Sequence, residues 1–388
     1  MRPLEGVRVV ELAHVAAGPF AGMLLADLGA DVVKVEPPSG DQMRAWPPFA
    51  TEDDGRGGGE RFSHNFASVN RNKRSVVADL KDAGDLARVR ELVAAADVVV
   101  ENYRPGVLDR LGLGYASVRE GHRGLVYCSI SGYGLTSPYV SDGAYDVVIQ
   151  GMSGLMSVTG EPDRGPVKAG VPVGDFTAGL YAAYTIAALL PQVRGSGTAV
   201  RVDCPMLDCL LGVSALQTSE YWGSGVGPSR LGTAHPRNAP YQGFAAADAP
   251  FTVAAGNDRL WVAVAEVVGL PELVDDARFR TQVDRVRHQG ELEALLQARF
   301  AGEKRAHWLA ELRARGVPCG PVNDFGEILA DPHVAATGLV GTVDVPVAGP
   351  SPTVVFPVRV EGLAPRLDRG APRLGADVEV YDEWAAPR

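Results

Sequence analysis

Short apolar runs, each too brief for a helix, recur through the first half of the chain and limit what it can fold into. Gly6-Val-Arg-Val-Val-Glu-Leu12, Asp31-Val-Val-Lys-Val-Glu36, Arg74 to Asp79, Asp97-Val-Val-Val-Glu101 and Gly124-Leu-Val-Tyr-Cys-Ser-Ile130 read as strands. Between them lie helix-compatible stretches, Pro19 to Leu28 and Gly84 to Ala96 among them. Strands that are continuously Val/Ile/Leu-rich, instead of alternating, must be covered on both faces, and intervening helices supply the cover. An α/β domain around a parallel sheet is therefore expected.

Further along, Thr198 to Cys204 reads as another strand and Met206 to Tyr221 as a helix. Gly223 to Pro240 is rich in Gly and Pro and marks a domain boundary. Beyond it, Phe251 to Ala255 is strand-like, Arg259 to Val268 is helical, and Asp276 to Arg315 carries polar helices whose charges form solvated faces. Gly316-Val-Pro-Cys-Gly-Pro-Val-Asn323 is a second junction, followed by extended segments at Gly338 to Val345 and Thr353 to Val360. Pro37 to Gly59, with the run Gly57-Gly58-Gly59, reads as a long loop. Neither GxGxxG between strand and helix nor GxxxxGK[ST] occurs, so an ordinary dinucleotide or nucleoside triphosphate site is unsupported.

With 388 residues the chain has room for two or three domains. A net charge of −10 argues against a general nucleic-acid partner. The longest apolar runs, such as Leu180 to Leu190, read as too short to span a bilayer, and Met-Arg-Pro-Leu-Glu-Gly enters a strand without the apolar stretch of a signal peptide. A cytoplasmic protein with no membrane partner is expected. Cys128, Cys204, Cys209 and Cys319 make neither a disulfide framework nor a zinc spacing, and a reduced, mostly buried state is expected for them.

The chemistry centres on Val171-Pro-Val-Gly-Asp-Phe-Thr-Ala-Gly-Leu-Tyr-Ala-Ala-Tyr184, where an extended run turns into a helix that Pro191 should stop. Asp175 is placed at or near the N-cap, where backbone N–H groups and the helix dipole should keep it ionised, ready to act as a nucleophile or simply to cap. His14 lies at the end of the first strand, where ligands of parallel sheets bind, but one His without a partner specifies no reaction and reads first as a core or capping histidine. Asn70-Arg-Asn-Lys-Arg74 and Glu101-Asn-Tyr-Arg-Pro-Gly-Val-Leu-Asp-Arg110 put basic and amide groups at strand ends. Those groups suit an anionic ligand, or form a solvated charge cluster.

In order, these segments resemble the class III CoA-transferases. The matching residues are Leu4 to Leu12, Ala17-Gly-Pro19, Leu28 to Glu36, Gly40-Asp41 with Arg44, Asn70 to Ser75, Glu101 to Gly106, Gly132-Tyr-Gly134, Gly174-Asp175 and Gly316 to Val322. The resemblance implies a large Rossmann-like domain from both ends of the chain (1–222 and 317–388), with a linker and small domain at 223–316 between, in an interlocked homodimer. It implies that Asp175 attacks an acyl-CoA thioester to give a mixed anhydride, then an aspartyl-CoA thioester, with Tyr145 and Asp146 beside it. Coenzyme A is then a co-substrate and no metal is implied.

Related α-methylacyl-CoA racemases carry a His-Asp pair where this chain has Tyr145-Asp146. A phenol is a poor acid–base replacement, so transfer is expected over racemisation, with a non-catalytic acyl-CoA-binding protein as a further alternative. Val15 and Ala16 are implied near the thioester, and Lys81, Asn102, Tyr103, Arg104 and Arg110 along the nucleotide. The formyl-CoA transferase members have Gln at the place of Ala16, a basic residue at that of Pro37, and a long tetraglycine lid that this chain lacks, with Gly256-Asn257 as the candidate for the equivalent loop. Arg230 to Gln242 resembles the succinate-hydroxymethylglutarate branch, which makes Arg230 and His235 candidates for a distal carboxylate, with a turn-stabilising role for His235-Pro236 as the other reading, and makes succinyl-CoA and a dicarboxylate the expected substrates.

Overall fold

The computed structural model describes residues 2–51, 59–120, 122 and 124–386, which fall into two compact units. The first comprises Met1–Leu155, Lys168–Ser219 and Ala335–Arg388; the second comprises Met156–Val167 and Glu220–Val334.

The first unit opens with β1 (Arg8–Leu12), α1 (Ala17–Asp27) and β2 (Asp31–Glu36). A small hairpin, β3 (Phe49–Thr51) and β4 (Arg61–Ser63), leads through α2 (His64–Asn70) to β5 (Lys73–Val77). Then come α3 (Ala83–Ala95), β6 (Val98–Glu101), the single turns α4 (Val107–Arg110) and α5 (Tyr115–Val118), and β7 (Val126–Ser131). The helices α6 (Asp146–Met152) and α7 (Val173–Ser196) precede β8 (Val200–Pro205) and α8 (Met206–Val213), and α9 (Ala215–Ser224) contains the boundary with the second unit at Ser219. Of the expected Pro37–Gly59 loop, residues 52–58 lie outside the described residues, Gly57 and Gly58 with them.

The expected parallel sheet is present, in the order β5-β2-β1-β6-β7-β8, every pairing parallel. In sequence order this is 3-2-1-4-5-6, the doubly wound arrangement that leaves a crevice outside the carboxyl ends of β1 and β6, where the strand order reverses. Val9, Val32, Val98, Val100 and Val126 pack one face against α1 and α7. Val10, Val33, Val99 and Leu92 belong to the opposite core, which α3 and a C-terminal helix (Val380–Ala385) close.

Some expected boundaries move, for physical reasons. Pro191 lies inside α7 and does not stop it. Burial of Ala183, Ile186, Leu190 and Val193 holds the helix together past the missing N–H. At 24 residues, α7 is by length and composition long and apolar enough to cross a membrane, in contrast to the shorter run expected; its buried residues pack on the sheet. The helix expected over Met206 to Tyr221 breaks at Ser214, whose hydroxyl donates to the Leu210 carbonyl (2.9 Å), a local bond that competes with the backbone ladder. Among the extended C-terminal segments, β12 (Val340–Val345) pairs antiparallel with β13 (Gly349–Val354), and the strand ends at Val354.

The second unit holds the antiparallel sheet β9 (Tyr241–Ala245), β10 (Pro250–Ala254) and β11 (Cys319–Pro321), with α10 (Asp258–Val267), α11 (Gln282–Arg287), α12 (Gln289–Phe300) and α13 (Arg305–Ala314). Its core is aromatic: Phe244, Phe251, Trp261, Phe300 and Trp308. Because β11 pairs with β10, residues 317–334 belong to this unit and the return falls at Ala335, beyond the expected 316/317 junction.

Candidate active site

The crevice at the strand-order reversal is a real cavity of about 250 Å³. The turn after β1 (His14 to Ala17), the turn after β6 (Asn102 to Pro105), the end of β7 (Ile130 to Gly134), Tyr145 and Asp175 surround it. These residues come from one unit and from three adjacent strand ends, which is why segments far apart in sequence converge here.

Asp175 is not a cap. Pro172 occupies the N-cap position and Asp175 is the third residue of α7, in its first turn. Nor is it held in the ordinary carboxylate range: burial first, and then the nearby Asp146, push it up to about 7. The helix dipole, on which the expected ionisation rested, is outweighed by desolvation. Asp146, the first residue of α6, is itself fixed: Oδ1 accepts from Gly174 N–H (2.8 Å) and Oδ2 from the Gln150 side-chain amide (2.6 Å). Gln150 is fully buried, and its carbonyl accepts from Ala169 N–H (2.8 Å). Gln150 was missed, although its position four residues after Asp146 on a helix is a readable signal. Tyr145, 72% exposed, stands at the rim.

The opposite wall is a strained turn. Val15, a β-branched residue, has φ of 63°, a conformation that costs on the order of 1–3 kcal/mol. His14 is tied to β6 by a two-way exchange, its N–H donating to Asn102 Oδ1 (2.9 Å) and its carbonyl accepting from Asn102 Nδ2 (2.8 Å). Its ring lies edge-on to Tyr103 with Nε2 3.1 Å from the phenol oxygen, and burial holds it below its usual pKa. His14 therefore belongs to the cavity wall. Next to it α1 begins at Ala17, and Ala16 at the N-cap position offers no side-chain cap, so the leading N–H groups of α1 have no intrahelical acceptor. The two helices that bring Val15–Ala17 and Asp175 together touch closely: a Cβ on Gly179 of α7 would sit 2.8 Å from the Ala17 carbonyl.

Of the residues expected along CoA, the cavity gathers Val15, Ala16, Asn102, Tyr103 and Arg104. Lys81 and Arg110 are exposed and lie outside its lining. The Asn70–Arg74 cluster serves neither of the roles expected for it. Arg71 pairs with Asp27 (2.5 Å), Lys73 with Glu11 (2.8 Å) and Arg74 with Asp31, so these cations are spent inside the fold. Arg230, His235, Gly256 and Asn257 belong to the second unit. There His235 Nδ1 accepts from Arg237 N–H (3.1 Å) and its ring packs on Tyr241, which stabilises a turn. Asn257 caps α10 by accepting from Leu260 N–H (3.0 Å).

Fold and cavity define an α/β protein with a candidate site at the carboxyl edge of a parallel sheet. Residues 4–378 match the model of CoA-transferase family III, and the chain belongs to that family. It is 41% identical to a succinate–glutarate CoA-transferase of Agrobacterium fabrum, over 99% of this chain and 98% of that one. It is 37% identical to an acetyl-CoA:oxalate CoA-transferase of Acetobacter aceti, over 99% and 96%. A CaiB/BaiF family protein from Brucella suis superposes with a TM-score of 0.89 at 41% identity, covering 99% of this chain and 100% of that chain.

Proposed function

We propose that this CoA-transferase moves CoA from succinyl-CoA to a second dicarboxylate, with Asp175 as the covalent carrier. The observation that carries the reading is a half-buried carboxylate of raised pKa at the start of α7, facing a cavity lined by the ends of β1 and β6. The relatives that share nearly the whole chain, named for succinate, glutarate and oxalate, support the substrate class.

In the proposed sequence an Asp175 oxygen attacks the thioester carbonyl, the C–S bond breaks, and CoA leaves as thiolate, giving a mixed anhydride. The thiolate then attacks the aspartyl carbonyl and expels succinate, which leaves an aspartyl-CoA thioester. The acceptor carboxylate attacks that thioester, and the released thiolate takes the acceptor's acyl group and frees Asp175. No net proton is consumed. Desolvation makes the ionised carboxylate more basic than an exposed one, while the uncapped N–H groups at the start of α1 suit the oxyanion formed at each attack. Tyr145 and Arg104 would close the rim over substrate.

Incubation with succinyl-CoA and a panel of carboxylic acids, read by mass spectrometry of the thioester products, tests the reading. Glutaryl-CoA or another dicarboxylyl-CoA should appear only when its acid is present. Acceptor-independent hydrolysis alone, or α-proton exchange of a 2-methylacyl-CoA without acceptor, would count against it. A homodimer is proposed as well, supported by the exposed apolar side chains of Leu180 (54%), Tyr184 (72%) and Leu216 (64%), since such patches mark contact surfaces. A native mass equal to one chain would refute it.

A further inference from the structure

Beneath the Val15 turn lies a cluster of charges that the proposed chemistry does not use. Glu11 on β1, Lys34 on β2, Lys73 on β5 and Asp41 after β2 are all within 1% of full burial. Glu11 and Lys34 are register neighbours across β1 and β2. Lys34 Nζ contacts Glu11 Oε1 (3.0 Å), Asp41 Oδ2 (2.8 Å) and the Ala13 carbonyl (2.7 Å). Lys73 Nζ contacts the other Glu11 oxygen (2.8 Å), Asn70 Oδ1 (2.8 Å) and the Pro19 carbonyl of α1 (2.7 Å). Room for Glu11 under α1 exists only because residue 22 is glycine: a Cβ there would lie 2.0 Å from Oε2.

Buried ion clusters seldom stabilise a fold better than apolar residues of the same volume would. This one therefore calls for a positional explanation, and its output is the strained turn. The Val15 N–H sits 3.2 Å from both oxygens of Asp41. Asp41 in turn is locked from three sides, by Lys34, by its own N–H donating to Glu36 Oε2 (3.0 Å), and by Met43 N–H donating to Oδ1 (2.9 Å). Glu36 is fixed by a two-bond pairing with Arg44 (2.7 Å each) and by Ser75 (2.6 Å). Burial alone would raise the Asp41 carboxyl, but the Lys34 charge and these donors hold it below its usual range, so the clamp remains an anion.

We propose that Asp41 is a positioning residue for acyl transfer: held by Lys34, its carboxylate fixes Val15 in the left-handed conformation and so sets the first N–H groups of α1 opposite Asp175. This deepens the proposed function and rests on it. Asp41 does not line the cavity, whereas Val15, Ala16 and Ala17 do. The clamp therefore acts through the backbone. A misplacement of about 1 Å in such a group is enough to lower a rate by roughly 100-fold.

The test compares Asp41→Ala, Asp41→Asn and the double variant Asp41→Ala with Val15→Gly. Four readouts are used: the rate of hydroxylamine-trapped adduct formation from succinyl-CoA, the CoA dissociation constant, the melting temperature, and amide exchange of the 14–20 segment. Asp41→Ala should slow adduct formation by about 100-fold and raise exchange at Val15–Ala17, with the CoA dissociation constant within about threefold. Glycine adopts a positive φ without strain, so the double variant should recover roughly tenfold of the lost rate. Asp41→Asn keeps the volume and one acceptor but loses the charge facing Lys34, and should fall between wild type and Asp41→Ala; it carries the test if the alanine variant does not fold. A lower melting temperature with an unchanged adduct rate, or no recovery on adding Val15→Gly, overturns the proposal. If wild type forms no adduct, the covalent reading fails by itself, and the exchange of the 14–20 segment still decides whether Asp41 holds the turn.

Discussion

Replacing Asp175 with alanine is expected to lower turnover by at least about 10⁴-fold, the scale on which loss of a covalent nucleophile is felt. The side chain to be lost is the one carboxylate among the cavity residues that stands at the start of α7, with Asp146 fixed beside it by Gly174 and Gln150. Asp146 already accepts two short hydrogen bonds, and moving it to the thioester would uncouple α6 from α7. CoA affinity should change only a few-fold, because Asn102 and Tyr103, on the β6 side of the cavity, are held by His14 rather than by Asp175. Asp175→Asn keeps the volume and should be equally inactive. Asp175→Glu keeps the charge but shifts it by one methylene, and should retain no more than about 1% of the rate. Steady-state assays with succinyl-CoA, paired with calorimetric CoA binding and hydroxylamine trapping, read all three. Turnover above a few per cent in Asp175→Ala, or a trapped adduct that persists, would remove Asp175 from the carrier role.

The sheet was readable because its information is local. A run such as Asp97-Val-Val-Val-Glu101 needs cover on both faces whatever surrounds it, and the helical stretches between such runs dictate parallel pairing. The place of Asp175 at a helix start was readable for the same reason, to within the first turn. Its titration was not, since the burial and the approach of Asp146 arise only when α6 and α7 meet. The buried cluster was hidden more deeply. Lys34 and Glu11 interrupt strands in the way solvent-facing residues do, and Lys73 sits in a run of basic residues that reads as a surface patch. What makes them internal is the convergence of β1, β2 and β5 under a helix with a glycine at the crossing, a pairing across 62 residues of sequence between Glu11 and Lys73 that no periodicity reports. The same limit applies to His235: the turn chemistry of His235-Pro236 is visible in the sequence and is used by the local geometry, whereas a carboxylate-binding role depends on contacts that no local pattern reports.

The raised pKa of Asp175 predicts opposite pH trends for activity and stability. Only the ionised carboxylate attacks, so kcat/KM, which reports the free enzyme, should climb about tenfold per pH unit below 7 and level off above it. Two other groups require controls. His14 is shifted in the opposite direction, below its usual range, by burial. Glu101, at the end of β6, is also pushed up to about 7 by burial, and the Glu101→Gln variant separates the two: the inflection should survive it. Stability runs the other way. Between the ordinary aspartate pKa of 3.8 and the folded value of about 7, the native state keeps a proton that the unfolded chain has lost, so raising the pH through this window destabilises the fold. Allowing for partial access of water, the loss is on the order of 2 kcal/mol. Asp175→Asn removes that penalty. It should melt a few degrees above wild type at pH 8, with the difference shrinking steadily toward pH 4, where both proteins carry a neutral side chain at this position. An inactive variant that is more stable than its parent only in the alkaline half of the range is a signature that lost packing cannot imitate, because a packing defect destabilises at every pH. A flat kcat/KM between pH 5.5 and 8.5, or a variant no more stable than wild type at pH 8, would show that Asp175 titrates as an ordinary exposed carboxylate, ionised over the whole range, and would overturn the raised pKa.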